Sequence, residues 1–295
     1  MGDLLQDKNQ EENIAKEKYV DLEKVIRSKS ERTWNLLPGF IFRYLKRIIH
    51  EDELNVIMHR LKHFHGLEFV NRGIEELGLK ILIQGQEYLP VEGKYIIASN
   101  HPLGGPEGLA LMSVVGAKYA NLKFIVNDVL LNLENIKNLF VPVNKHGANT
   151  RESIRIIDEV LKSQAIVLTF PFGLVSRKRK GKIEDLEWKK AFINWAKKYE
   201  RDIIPVFIDG RNSNFFYNLA NIRKALGIKV NIEMLYLVNE MFKHRNGNLN
   251  ITFGTPIHYK TFDNSISERQ WAESVRKYVY QLANNPSLKY EASLS

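Results

Sequence analysis

Short apolar runs recur along this chain from residue 79 onward, each rich in β-branched side chains and bounded by polar or turn-forming residues. They read LKILIQG (79–85), YIIAS (95–99), KFIV (123–126), LFVPV (139–143), AIVLTF (165–170) and IIPVFI (203–208), followed by VNIEMLYL (230–237) and LNITFG (249–254). All eight are taken as strands. Between several of them the period changes to helical, in GLALMSVVGAKY, TRESIRIIDEVLKS and EWKKAFINWAKKY. Strands alternating with helices predict an α/β fold with a mixed, largely parallel central sheet covered by helices on both faces. SERQWAESVRKYVYQLA (267–283) reads as a closing helix.

The amino-terminal quarter has another texture. Residues 1–30 are polar and charged, a loose arm or an exposed helix. In LLPGFIFRYLKRIIH (36–50), Phe40, Tyr44, Leu45 and Ile48 recur at helical spacing with Arg43, Lys46 and Arg47 among them, and Pro38-Gly39 stands where a helix can begin. An apolar face bordered by cations suits a helix lying in a lipid interface, and it equally suits a helix docked on the protein's own core. The expected organisation is an arm and amphipathic helical region over 1–69, an α/β domain over 70–262, and a helix and tail over 263–295.

Composition narrows the partners. The chain of 295 residues has no cysteine, which excludes disulfides and thiolate metal sites. A formal charge of +9 favours anionic partners such as nucleic acid, lipid head groups or an acidic carrier protein. No stretch approaches the ~20 apolar residues of a spanning helix, and the first residues lack the order of a secretory signal. His59, His63 and His65 are placed on one helix; with no third ligand evident nearby, no metal site is expected.

The chemistry concentrates in SNHPLGGPEG (99–108), where a histidine, two prolines and three glycines separate an apolar strand from an apolar helix. His101 would sit in the turn at the strand's carboxyl end, where open α/β sheets place their ligand sites. Its imidazole can take a proton from an attacking hydroxyl, with Glu107 on the other ring nitrogen to fix the tautomer. The alternative is a structural turn whose histidine bonds locally. Three more strand ends carry polar groups: Asn144, Lys145 and His146 after 139–143; Gly173, Ser176, Arg177 and the run to Lys180 after 165–170; Asp209 and Arg211 after 203–208. Side by side they would form a pocket with one base and an anion-binding wall. Taken separately, the RKRKGK run also suits a solvated loop or a nucleic-acid contact, and Asp209 a local cap. With no aromatic residue interleaved in that run, nucleic acid is not expected as a partner.

In their order, NHPLGGPEG, LFVPVNKHG, FPFGLVSR and IIPVF resemble the four sequence blocks of the glycerolipid (lysophospholipid) acyltransferase superfamily. They are most similar to its bacterial hemolysin-like branch, which O-acylates lyso-amino-acid lipids such as lyso-glycine or lyso-ornithine lipid. The resemblance covers about residues 36–260. It implies that His101 is the general base and Glu107 its orienting carboxylate, that Asn144 and Lys145 meet the acceptor's anionic group, that Gly173, Ser176 and Arg177 line the acceptor pocket, and that the block around Pro205 lines the acyl-donor side. The superfamily's first block is His, four residues, then Asp; here the acid is a glutamate one position later, so a longer arm must fold back. Lys145, where phosphate-handling members carry Arg, and Phe172 before Gly173 are further departures, and they disfavour a glycerol-3-phosphate-type acceptor. The implied activity is transfer of a fatty acyl group from a thioester, acyl carrier protein rather than acyl-coenzyme A, to a lysolipid hydroxyl, with no cofactor. It would proceed on the inner face of the cell membrane by a peripheral, cytoplasmic protein. Backbone N–H groups near the glycines, or at the start of the following helix, would meet the oxyanion. Acylation of lysophosphatidic acid and a non-catalytic lipid-binding role are the rival readings.

Overall fold

A computed structural model describes residues 18–127, 130, 131, 133–143 and 151–291, apart from the side chains of Lys29 and Thr33. Among the described residues five helices lead: α1 (Leu22–Lys29), α2 (Glu31–Leu36), α3 (Gly39–Ile48), α4 (Glu51–Leu61) and α5 (Gly66–Leu77). Then come β1 (Lys80–Gln84), β2 (Tyr95–Ser99), α6 (Pro106–Gly116), β3 (Leu122–Asn127), β4 (Phe140–Val143), α7 (Arg151–Lys162) and β5 (Ile166–Thr169). A hairpin of β6 (Arg177–Arg179) and β7 (Lys182–Glu184) precedes α8 (Ala191–Tyr199), β8 (Asp202–Asp209), α9 (Asn214–Ala225), α10 (Leu237–Lys243), β9 (Asn248–Phe253) and α11 (Glu268–Gln281).

Seven strands form one sheet in the order β1-β9-β8-β2-β5-β3-β4, parallel throughout except where β8 meets β9. The expected mixed, largely parallel sheet is thus present. Period-two alternation sorts its side chains into two cores. Ile97, Leu168, Ile204 and Val206 face one core with helices α4, α5 and α6. Ile96, Ala98, Val167 and Ile203 face the other with α7, α8 and α11. Burial on both faces explains why the central strands read as continuous apolar runs. Arg201 is fully buried without a carboxylate partner; its guanidinium donates to the carbonyls of Leu161, Ala165 and Ser163 at 2.7–2.8 Å, satisfying the end of α7 and the turn after it.

Several expectations need correction. VNIEMLYL is not a strand: Ile232–Tyr236 is a 3₁₀ turn running into α10. Its Glu233, an outward position in a strand, is fully buried between Arg177 and Arg223. Of the three histidines placed on one helix, only His59 lies on α4; His63 and His65 are in the link to α5. The basic run is a β-hairpin, because Lys180 and Gly181 both take positive φ and twist the turn to match the strands. The boundary drawn at 69/70 falls inside α5, which packs on α6 and shares the core of the sheet. Among the described residues no helix is long and apolar enough to cross a membrane.

Candidate active site

The site begins where β2 stops. β2 lies between β5 and β8, and the chain leaves it for β3 on one side and reaches β8 on the other only later; the carboxyl ends beside such a reversal are where open α/β sheets place their ligand sites. Asn100 marks the exit. Its amide donates to the Ile208 carbonyl at 2.8 Å and its oxygen accepts from the Ile208 N–H at 2.7 Å, adding one side-chain rung between β2 and β8.

The next five residues form a turn whose backbone is bonded almost completely. His101 N–H donates to Asp185 Oδ1 (3.3 Å), and the His101 carbonyl accepts from the Ser176 N–H (2.8 Å) and hydroxyl (3.2 Å). The Pro102 and Leu103 carbonyls accept from the Asn212 amide at 3.4 and 3.2 Å. The N–H groups of Leu103, Gly104 and Gly105 donate to the Glu107 carboxylate at 2.7, 2.7 and 2.8 Å. Gly104 has φ +96°, and a Cβ there would stand 2.8 Å from both Leu237 and Val175, so the position requires glycine twice over. Pro106 opens α6 without an N–H to satisfy, and Glu107 in its first turn is turned back over the glycines.

Folded back in this way, Glu107 is completely buried and its Oε1 lies 2.9 Å from His101 Nδ1. Burial alone would push this carboxyl up; the neighbouring imidazole and the glycine N–H donors overcome that and hold it down to about 2. It is therefore a carboxylate at any physiological pH. The ring meets it off the axis of the Nδ1–H, so the contact is an ion-pair approach rather than an aligned hydrogen bond. His101 also stacks on Phe170 at the end of β5, with centroids 4.2 Å apart and planes 15° from parallel. Glu107 on one edge and Phe170 on one face fix the ring, leaving Nε2 as the nitrogen free to accept a proton.

One further carboxylate belongs here that sequence reasoning missed. Asp185, just past β7, is buried; it accepts from the Ser176 hydroxyl at 2.6 Å and from Trp188 Nε1–H at 2.9 Å, besides holding His101 N–H. Its burial pushes its pKa up despite those donors. The Asp185 N–H in turn donates to the Tyr280 hydroxyl of α11, at 2.7 Å.

The other sequence candidates are placed as follows. Ser176 is buried with its hydroxyl on Asp185 and the His101 carbonyl. Arg177 is committed to an internal ion pair with Glu233 at 3.2 Å and to the Val175 carbonyl at 2.7 Å. Gly173 has φ +70° and is open on the side where the Lys189 ammonium lies, 3.4 Å from where a Cβ would be. Asn144 and Lys145 lie outside the described residues. Pro205 sits mid-strand in β8, buried against Gly254. Asp209 is exposed and accepts from the Asn250 amide at 3.4 Å. Of the two places expected to supply N–H groups to an oxyanion, the glycine turn has its three committed to Glu107, which leaves the start of α6.

A protein family described as "Acyltransferase" matches residues 24–289, nearly the whole chain. The chain belongs to this acyltransferase family. Two curated relatives carry the name lyso-glycine lipid O-acyltransferase. The protein from Bacteroides thetaiotaomicron is 46% identical, covering 89% of this chain and 97% of its own length. That from Phocaeicola vulgatus is 44% identical, covering 89% and 95%. The crystal structure of the 1-acyl-sn-glycerophosphate (LPA) acyltransferase, PlsC, from Thermotoga maritima aligns with a TM-score of 0.46 at 19% identity, over 83% of this chain and 89% of that one. This acyltransferase thus groups with the branch of the superfamily that its four sequence blocks resemble, and His101 and Glu107 stand in the first of those blocks.

Proposed function

We propose that this acyltransferase moves a fatty acyl group from a thioester to the hydroxyl of a lyso-amino-acid lipid, of the lyso-glycine type, at the inner surface of the cell membrane. The observation that carries the chemistry is the ionised, buried Glu107 set 2.9 Å from His101 Nδ1 at the carboxyl edge of the sheet. The acceptor class rests on the likeness to the two curated relatives over nearly their full length.

In this reading His101 Nε2 takes the acceptor's proton as its oxygen attacks the thioester carbonyl, and Glu107 stabilises the imidazolium that forms. The tetrahedral adduct collapses by breaking the C–S bond, and Nε2 returns the proton to the departing thiolate. An ester and a free thiol result, with no cofactor consumed. Asn144 and Lys145 are proposed to meet the acceptor's anionic group, with Gly173 lining its pocket. Ser176 and Arg177 contribute by holding the turn and the hairpin in place. A carrier protein with an acidic surface suits a partner of charge +9, so acyl carrier protein is the proposed donor.

Purified protein, lyso-glycine lipid and either acyl carrier protein or acyl-coenzyme A, followed by mass spectrometry of the diacyl product, tests each part. His101→Ala should reduce turnover by roughly 10²–10⁴ while the fold is kept. Near-normal turnover in that variant would remove the mechanism, and product formed with acyl-coenzyme A alone would remove the carrier-protein donor.

A further inference from the structure

Helix α9 is apolar on two sides. Phe216, Tyr217 and Ala220 are buried inside, whereas Phe215, Ile222 and Leu226, which share one stripe at helical spacing, point into solvent. A second apolar stripe on the solvent side of an otherwise polar helix, beside Arg223 and Lys224, suits a helix lying against a lipid interface. Beyond α9 the chain turns at Gly227 (φ +69°) and presents Ile228, Val230 and Leu235, all exposed. Of the fourteen large apolar side chains exposed among the described residues, nine lie within 36–44 and 215–235.

This outward loop is braced from within. Arg223 donates to the Ile228 carbonyl at 2.7 Å and pairs with the fully buried Glu233 at 2.8 Å. A buried ion pair therefore holds Leu226, Ile228 and Val230 toward water, a costly arrangement unless something apolar receives them. The loop also joins α3: the Tyr44 and Tyr236 hydroxyls are 2.8 Å apart, and Phe215 meets Tyr236 edge-on at 4.9 Å. Neither 32–50 nor 211–232 contains an acidic residue, while Arg43, Arg47, Lys224 and Lys229 punctuate them; of the two acids at the margins of this surface, Glu31 pairs with Arg27 and Glu233 is buried. Exposed apolar groups among cations, with no anion between, complement an anionic bilayer surface rather than a protein core.

We infer that residues 215–235 form the second half of a lipid-docking surface whose first half is α2 and α3. The inference rests on the reading of this acyltransferase as one that works at a membrane. Both ends of the segment abut the His101 turn: Asn212 donates to the Pro102 and Leu103 carbonyls just before α9, and Leu237 packs where Gly104 has no side chain. Docked through this face, the enzyme would open its base directly onto the lipid that carries the acceptor.

Flotation with phosphatidylcholine vesicles, with and without phosphatidylglycerol, tests it using the full chain. Ile222→Ser, Leu226→Ser and Val230→Ser combined should weaken partition into the anionic vesicles by about tenfold or more, while turnover on detergent-dispersed acceptor is unchanged. Partition equal to the parent's overturns the inference, and if Leu36→Ser with Phe40→Ser does weaken it, the membrane reading survives alone. A parent that binds no vesicle removes both but leaves the chemistry standing. A combined variant that changes only the sedimentation state assigns the face to a second copy of the chain and also overturns the inference.

Discussion

Replacing Glu107 by Gln tests the centre of the mechanism, because it removes a charge and almost nothing else. In the parent, Oε1 accepts from Leu103 and Gly104 and touches His101, and Oε2 accepts from Gly105. The amide oxygen of Gln would take the Oε1 place, where it serves two N–H groups and the imidazole, leaving its NH₂ against the Gly105 N–H. In stability, that mismatch strands both the Gly105 N–H and the new amide N–H, at about 1–3 kcal/mol each; in turnover the charge decides. The lost charge is the larger matter there: a carboxylate beside a cation is worth about 1–3 pKa units, or roughly 1.4–4 kcal/mol. Turnover should therefore fall by about 10- to 10³-fold with little change in KM, since the acceptor does not touch Glu107. Stability supplies an independent check. The carboxyl is held down to about 2 against about 4.3 unfolded, so it contributes about 3 kcal/mol that is fully present above the unfolded value and lost as pH falls toward 2. Urea titrations of the parent should lose that amount between about pH 5 and 2, and the Gln variant should lose much less. A variant with turnover within about threefold of the parent's, or with the same acid loss of stability, would refute this account of the pair.

Two other substitutions probe what holds the pair. Asp185→Ala should destabilise the fold by about 1–3 kcal/mol, because the Ser176 hydroxyl, the Trp188 N–H and the His101 N–H lose their acceptor together. Asp185→Asn keeps one oxygen and should recover most of the stability with kcat still reduced and KM unchanged; equal kcat losses in both variants would count against a positioning role. Gly104→Ala must place a Cβ 2.8 Å from Leu237 and Val175 at a positive φ, and a thermal melt should show a loss of about 2 kcal/mol or more with a parallel fall in turnover. An unchanged melting temperature would show that the turn can be rebuilt.

What could be read from the chain, and what could not, divides by how far apart the partners are. The strands around the site were legible because β2, β5 and the middle of β8 are buried on both faces and so read as near-continuous apolar runs, with Ser99, Thr169, Asp202 and Asp209 only at strand ends. The His101–Glu107 segment was legible because prolines and glycines crowd it, and stiffness there has local causes. Asp185 was not legible: in KIEDLEW it is one acid among three, and what makes it special is a backbone N–H 84 positions upstream. Glu233 misled in the opposite direction. Its charge fitted the outward side of a strand in VNIEMLYL, whereas Arg177, 56 positions away, and Arg223 draw it fully inside. With Glu233 inward, Val230 and Leu235 turn out while Met234 and Leu237 stay packed, and part of a pattern read as core becomes surface.

The allocation of donors in the 101–105 turn carries a mechanistic consequence. A glycine-rich turn ahead of a helix usually suggests N–H groups waiting for an anion from outside. Here the anion is the protein's own: Glu107 occupies the three donors and is thereby kept ionised while buried, which lets it face the imidazole as a full negative charge. The same bonds lock Leu103 to Gly105, so the base cannot drift when the acceptor arrives. The turn serves proton transfer, and the charge on the tetrahedral oxygen must be met by groups outside it, which separates the two halves of catalysis in space. Changes to residues 101–107 should therefore lower turnover through the base alone, whereas variants affecting the oxyanion lie elsewhere around the strand ends and should combine with Glu107→Gln additively in free energy. A double variant no slower than Glu107→Gln alone would show that the two functions share this turn after all.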